Sequence, residues 1–256
     1  MTFIDTHSHI YAKEFDSDIG AVIERALQSK VEKILLPSID SDRFKTMSDL
    51  VSAYPSVVFP MIGLHPSSVK DDVQQQLQLV QNELKTGKYC AVGEVGIDLY
   101  WDKTRLREQC EAFGIQLQLA VEYSLPVVIH QRESFFEIMD ILDQAEFRGL
   151  NGVFHCFAGD VGMAKKCIDL GFILGIGGVV TYKNSLMAEV VKSIPLEFLV
   201  LETDAPYLTP VPYRGKRNEP SYIPLIAERV ANIKSCSIEE VASQTTRNAM
   251  QLFFKN

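Results

Sequence analysis

The chain has 256 residues, of which 46% are hydrophobic and 23% charged, an ordinary globular composition with room for a substantial core. A formal net charge of −8 opposes loose, charge-driven binding to nucleic acid, although local basic loops and metals could still neutralise a few phosphates. No apolar run approaches the roughly 18 residues of a membrane span, no basic-then-apolar leader opens the chain, and the five cysteines form no Cys-x-x-Cys pair. A cytoplasmic protein with reduced thiols, no membrane association and no obligate protein partner is the expectation. Cys156 follows His155 and is the thiol to weigh as a nucleophile, but a small buried apolar role fits it better.

The chain opens on a strand, Phe3 to Ile10, in which alternation would place Asp5, His7 and His9 on one face. Apolar spacing then predicts a helix over 16–30, a strand over 33–37, a helix over 41–54, and a strand over 57–62 that runs into Gly63-Leu64-His65-Pro66. A helix over 71–85, a strand over 90–94 and a long helix over 103–123 follow. The second half repeats the pattern, with strands over 125–130, 152–155, 172–176 and 198–202. Helices are expected over 134–144, 161–170, 186–192, 222–234 and 238–253. Short, near-continuous apolar runs suit a parallel sheet buried on both faces. Eight strand–helix units in roughly 250 residues predict a single-domain (β/α)8 barrel of the TIM type, an α/β fold. An open doubly wound sheet is the alternative, lowered by the lack of a glycine-rich loop after the first strand.

All five histidines, His7, His9, His65, His130 and His155, fall at the C-terminal ends of predicted strands, and none falls on a predicted helix. Glu94 ends the fourth strand, while Glu202 and Asp204 follow the eighth. In a barrel these converge on the rim where such folds place their chemistry. Four imidazoles with two or three carboxylates exceed what one ion requires, and two ions sharing a bridging carboxylate would use them. Glu94 is the natural bridge, with Gly93 and Gly96 allowing close backbone approach. Alternation puts Glu202 and Asp204 on one face. Asp204 is read as ligand and base, Glu202 as a carboxylate orienting a ligand histidine, and Asp5 as a second carboxylate of that kind or a structural one. Arg132 and the loop bearing Arg214, Lys216 and Arg217 bring guanidinium groups to the same rim. Asn218 is a candidate cap for the helix beginning near Pro220.

Seven stretches in order carry a resemblance: Asp5-Thr6-His7-Ser8-His9, Gly63-Leu64-His65-Pro66, Gly93-Glu94-Val95-Gly96-Ile97-Asp98, Pro126-Val127-Val128-Ile129-His130, Val153-Phe154-His155-Cys156-Phe157, Glu202-Thr203-Asp204-Ala205-Pro206 and Arg217-Asn218-Glu219-Pro220. Over its whole length the chain resembles the TatD-type metal-dependent deoxyribonucleases. The resemblance implies a TIM-type barrel that hydrolyses DNA phosphodiesters with divalent metals. By position, His7, His9 and Asp204 correspond to ligands of one ion, and His130 and His155 to ligands of a second, with Glu94 between. His65 resembles an active-site histidine facing the substrate phosphate; guanidinium chemistry makes Arg132 and Arg217 further candidate phosphate contacts.

Two divalent ions (Mg, Mn or Zn), a DNA substrate and 3′–5′ exonuclease action are therefore expected, with Asp204, Glu94 and His65 as the catalytic set. The rival readings are a small-molecule amidohydrolase or phosphoesterase on the same barrel, and a metal-binding protein without turnover. A lysine able to carry a carbamate at the end of the fourth strand would favour the amidohydrolase, and Glu94 stands there instead.

Overall fold

The computed structural model describes residues 1–254. Eight short strands alternate with helices: β1 (Phe3–Asp5), α1 (Ile19–Gln28), β2 (Val31–Leu36), α2 (Phe44–Ala53), β3 (Val58–Pro60), α3 (Val73–Leu84), β4 (Val92–Asp98) and α4 (Leu106–Tyr123). The chain continues with β5 (Val127–Arg132), α5 (Phe135–Leu142), β6 (Gly152–Phe154), α6 (Val161–Asp169), β7 (Phe172–Ile176), α7 (Met187–Ser193), β8 (Leu199–Leu201), α8 (Ile223–Lys234) and α9 (Ile238–Phe253). Every strand pairing is parallel, in the orders β1-β2-β3 and β4 through β8. The bridges Ile62↔Val92 and Ser8↔Ala205 close the two gaps, so the strands form the expected (β/α)8 barrel. Among the described residues no helix is long and apolar enough to cross a membrane.

Alternation along the strands sorts the core into two layers. Ile4, Leu35, Met61, Ala91, Val128, Val153 and Val200 pack together as the barrel interior, and Ala249 and Phe253 of α9 join them. The flanking residues, such as Phe3, Ile34, Leu36, Val127 and Ile129, pack instead in the shell that includes the helices. The C-terminal helix is tied to the strands it covers. Asn248 Nδ2 donates to Leu196 O (2.8 Å) and Leu199 O (2.7 Å), and Thr246 Oγ1 donates to Thr2 O (3.0 Å). Ser237 caps the start of α9 by accepting from Glu240 N–H at 3.1 Å.

The same period of two carries the interior layer upward into polar residues. Two positions beyond Val128, Val153 and Val200 stand His130, His155 and Glu202. A strand that builds the apolar interior therefore presents its next inward position to the site.

Two strands depart from the sequence expectation. β1 ends at Asp5 rather than Ile10, because the following residues weave between neighbours instead of pairing with one. Thr6 N–H donates to Leu201 O (3.0 Å), Ser8 N–H to Leu35 O (3.0 Å) and His9 N–H to Ala205 O (2.7 Å). β4 does not end at Glu94 but continues to Asp98, opposite Arg132. Gly93 pairs with Val128 and Val95 with Ile129, so Glu94 is the extra, unpaired residue of a bulge. Both neighbouring glycines are required sterically. A Cβ on Gly93 would lie 2.7 Å from Val128 Cβ, and Gly96, at φ +146°, leaves no room for one against the His130 carbonyl.

Candidate metal centre

The bulge turns the Glu94 carboxylate into the barrel mouth, where it is almost fully buried. Its two oxygens face different partners. Oε2 lies 3.1 Å from His7 Nε2 and 3.5 Å from His9 Nε2. Oε1 lies 2.7 Å from His130 Nδ1 and 2.7 Å from His155 Nε2. Asp204 Oδ1 completes the first group at 3.8 Å from His7 Nε2 and 3.6 Å from His9 Nε2. His65 Nε2 approaches Oε1 at 3.4 Å.

The hydrogen-bond network decides which ring nitrogens carry protons. Tyr11 Oη donates its one proton to Pro37 O (2.6 Å), a group that can only accept, so the 3.0 Å contact with His9 Nδ1 requires the ring to donate. His9 Nε2 then presents a bare lone pair to the cluster. His130 Nε2 faces Asp98 Oδ2 at 2.9 Å. Burial raises the Asp98 carboxyl, but His130 and the backbone N–H groups of Trp101 and Tyr100 together hold it below its ordinary range, so it accepts. His130 therefore donates from Nε2; against burial, Asp98 and Glu94 together raise its pKa, and an ion at Nδ1 would take the place of the proton there.

His65 is the reverse case. Ser67 N–H donates to its Nδ1 at 3.1 Å, which leaves the proton on Nε2, pointing into the site. Burial lowers its pKa further and keeps the ring neutral. His65 is thus a hydrogen-bond donor to whatever lies before Glu94, although its position would also allow ligation.

The residues fit divalent metal. His7 Nε2 and His9 Nε2 stand 3.3 Å apart with Glu94 and Asp204 oxygens beside them. Ligands roughly 2.0–2.2 Å from a central ion form a tetrahedron with edges of about 3.3–3.6 Å, close to the separations in this group. Such a convergence of acceptors repels itself unless a cation sits among them. His7, His9 and Glu94; His7, His155 and Asp204; and His65, Glu94 and His130 each bring ligand atoms within 4.8 Å of one another. The His7 and His155 rings stack at 3.8 Å, and burial together with His155 pulls the His7 pKa well down, as a ligand imidazole requires.

The two carboxylates after β8 part ways: Glu202 keeps the inward period of Val200, and Asp204 does not. β8 ends at Leu201, and Asp204 adopts φ 56°, so the chain has already turned. Glu202 is fully buried below the cluster, where Oε1 accepts from Cys156 N–H and lies 3.7 Å from His155 Nδ1. Among the described residues that nitrogen and Glu202 Oε2 have no hydrogen-bond partner. Asp5 touches no histidine ring. It accepts from Thr203 Oγ1 (2.5 Å), Thr203 N–H (2.9 Å) and His7 N–H (3.3 Å), the structural alternative for this residue.

Arg132 is exposed on the rim, with its guanidinium over Tyr100. Arg217 is engaged elsewhere: it donates to Glu14 O (2.6 Å) and grips both oxygens of Asp18 (2.8 and 2.7 Å). Next to it, Arg25 forks onto Glu219 at 2.8 and 2.6 Å. Asn218 does not cap the helix near Pro220; its amide donates back to Thr203 O and Tyr207 O. Tyr11 and Asp98, which set two imidazole tautomers, had no role in the sequence reading. Asp98 lies an even four positions beyond Glu94, a signal visible only if the strand is carried through Gly96.

The family model described as TatD related DNase matches residues 4–254. The chain is 40% identical to the metal-dependent hydrolase YabD of Bacillus subtilis over 97% of its own length and 98% of that protein. It is 34% identical to the metal-dependent hydrolase YcfH of Escherichia coli over 99% and 96% of the two chains. The crystal structure of YjjV, a TatD homologue from Escherichia coli, superposes with a TM-score of 0.93 at 30% identity, covering 99% and 98%. The chain belongs to the TatD family of metal-dependent hydrolases.

Proposed function

We propose that the protein is a deoxyribonuclease that uses two divalent ions, Mg, Mn or Zn, to hydrolyse DNA phosphodiesters, acting from the 3′ end. The observation that carries this reading is the split of Glu94. One oxygen faces His7 and His9, and the other faces His130 and His155. A single carboxylate serving two ligand groups is the arrangement of paired ions around a phosphoryl centre. When bound, the ions would lower the pKa of a water and polarise a phosphoryl oxygen.

The remaining work falls to the chain. Asp204, whose carboxyl burial raises to about 6 in the metal-free protein against the opposing pull of His155 and His9, would take or orient the proton of the attacking water. His65 offers its Nε2–H to a phosphate oxygen, where developing charge strengthens the bond. Arg132 supplies a cation at the rim. Arg217, occupied by Asp18, is assigned to holding the loop rather than the phosphate.

The test is turnover by chelator-stripped protein across a panel of divalent metals. Oligodeoxynucleotides labelled at either end would be compared with a nitrophenyl phosphoester and a hydantoin-like amide. Metal-restored loss of the 3′ label supports the reading. Turnover of the amide alone would make the protein a small-molecule amidohydrolase.

A further inference from the structure

The loop after β4 holds two aromatic rings in solvent beside the metal cluster. Tyr100 is 50% exposed and Trp101 71% exposed. Their rings meet edge to face, with centroids 5.0 Å apart. The Arg132 guanidinium lies 3.7 Å from the Tyr100 ring centroid and 5.5 Å from that of Trp101. Aromatic rings and a stacked guanidinium on a mobile loop would carry little meaning, since single exposed apolar residues are common. Here the backbone is fixed. Asp98 Oδ1 accepts from Tyr100 N–H (2.9 Å) and Trp101 N–H (3.1 Å), while Oδ2 accepts from His130 Nε2 (2.9 Å). His130 Nδ1 in turn lies 2.7 Å from Glu94. One carboxylate thus fixes both the imidazole at the metal cluster and the loop that presents the rings.

We propose that Trp101, set edge to face against Tyr100 with Arg132 beside it, offers a stacking plate for the nucleobase next to the scissile phosphodiester. The inference rests on the DNA reading above and names how that substrate is gripped. A chain of net charge −8 gains little from general phosphate attraction, so affinity must come from local contacts. Flat π faces take any base, and a guanidinium over a ring can still direct N–H groups to phosphate oxygen. The plate therefore recognises a ring joined to a phosphate, without reading sequence.

Trp101 is the only tryptophan in the chain, so its fluorescence reports the plate directly. Chelator-treated protein would be titrated with an oligodeoxynucleotide, with the same oligomer carrying abasic residues at its 3′ end, and with inorganic phosphate. The intact oligomer should change the emission saturably and bind about 5- to 150-fold more tightly than the abasic one, the loss expected for one stacked base. Phosphate alone should leave the emission unchanged. In kinetics with metal, Trp101→Ala should raise KM for the intact oligomer by a comparable factor while leaving KM for the abasic one unchanged. Trp101→Phe should restore most of the loss. Equal binding of intact and abasic oligomers, or a Trp101→Ala defect of the same size on both, would overturn the plate. Emission changes specific to the intact oligomer without any DNA turnover would uphold the plate and remove the nuclease reading. DNA turnover with no base-dependent emission change would do the opposite.

Discussion

Asn218 brackets Asp204: its Nδ2 donates to Thr203 O at 2.7 Å and to Tyr207 O at 2.6 Å, the carbonyls on either side of the carboxylate. Asp204 itself sits at φ 56°, with its N–H donating to His7 O at 2.9 Å. The Asn218 amide ties this turn across Asp204, so Asn218→Ala would leave two inward carbonyls without its donors. Stability should fall by roughly 1–3 kcal/mol, and metal affinity should fall with it because Asp204 loses its fixed position. Thermal unfolding and metal titration of the variant check both, and unchanged values in the two measurements would free the turn from Asn218.

Arg217 belongs to the same clasp. Together with Arg25 and Glu219 it binds the start of α1 to the loop after β8. Arg217→Ala should therefore lower thermal stability and leave the salt dependence of the DNA KM unaltered. Loss of a real phosphate contact would instead reduce the salt slope by about 1. KM measured over a range of salt concentrations separates the two.

Asp98 and Tyr11 orient His130 and His9 respectively. Removing such an orienting partner typically costs 10–100-fold in metal affinity, and Asp98→Ala and Tyr11→Phe should each fall about in that range. Calorimetric metal titration should show the two variants affecting different ions. Full affinity in both would mean that the imidazoles are held by packing alone.

Metal affinity should depend steeply on pH. Asp204 in the metal-free protein has its carboxyl raised to about 6 by burial, so below that pH an ion must displace its proton. His155, which burial alone would lower, is raised well above the ordinary imidazole value by Glu94 and Glu202, and adds a second proton to displace. Affinity should rise as the pH climbs through about 6 and keep rising beyond the ordinary imidazole range, with protons released on binding. Titrations at a series of pH values check the sign, and affinity that is flat across this range contradicts it.

The barrel was legible because buried parallel strands must be apolar on both faces, and runs such as Lys33 to Pro37 and Phe172 to Ile176 have no other economical fold. The convergence of the histidines with Glu94 and Asp204 was legible because histidines at strand ends have few reasons to cluster there. Geometry beyond the strand ends was not. Alternation assumes an extended chain, but the chain leaves that geometry after Asp5 and again by Asp204. Asp5 therefore bonds backbone and Thr203 instead of joining His7 and His9. The bulge at Glu94 hid the continuation of β4, and with it the role of Asp98. The hold of Arg217 on Asp18 was not legible, because the two lie 199 residues apart in sequence.

The claim that Glu94 serves two ions is tested most directly by reconstituting chelator-stripped protein stepwise with Mn2+ or Zn2+, following bound metal and oligodeoxynucleotide hydrolysis in the same samples. The account predicts two equivalents per chain, with hydrolysis appearing as the second is filled, and loss of both the second equivalent and the activity in Glu94→Gln. Full hydrolysis at one equivalent, or a Glu94→Gln protein that still binds two ions and cuts DNA, would contradict it.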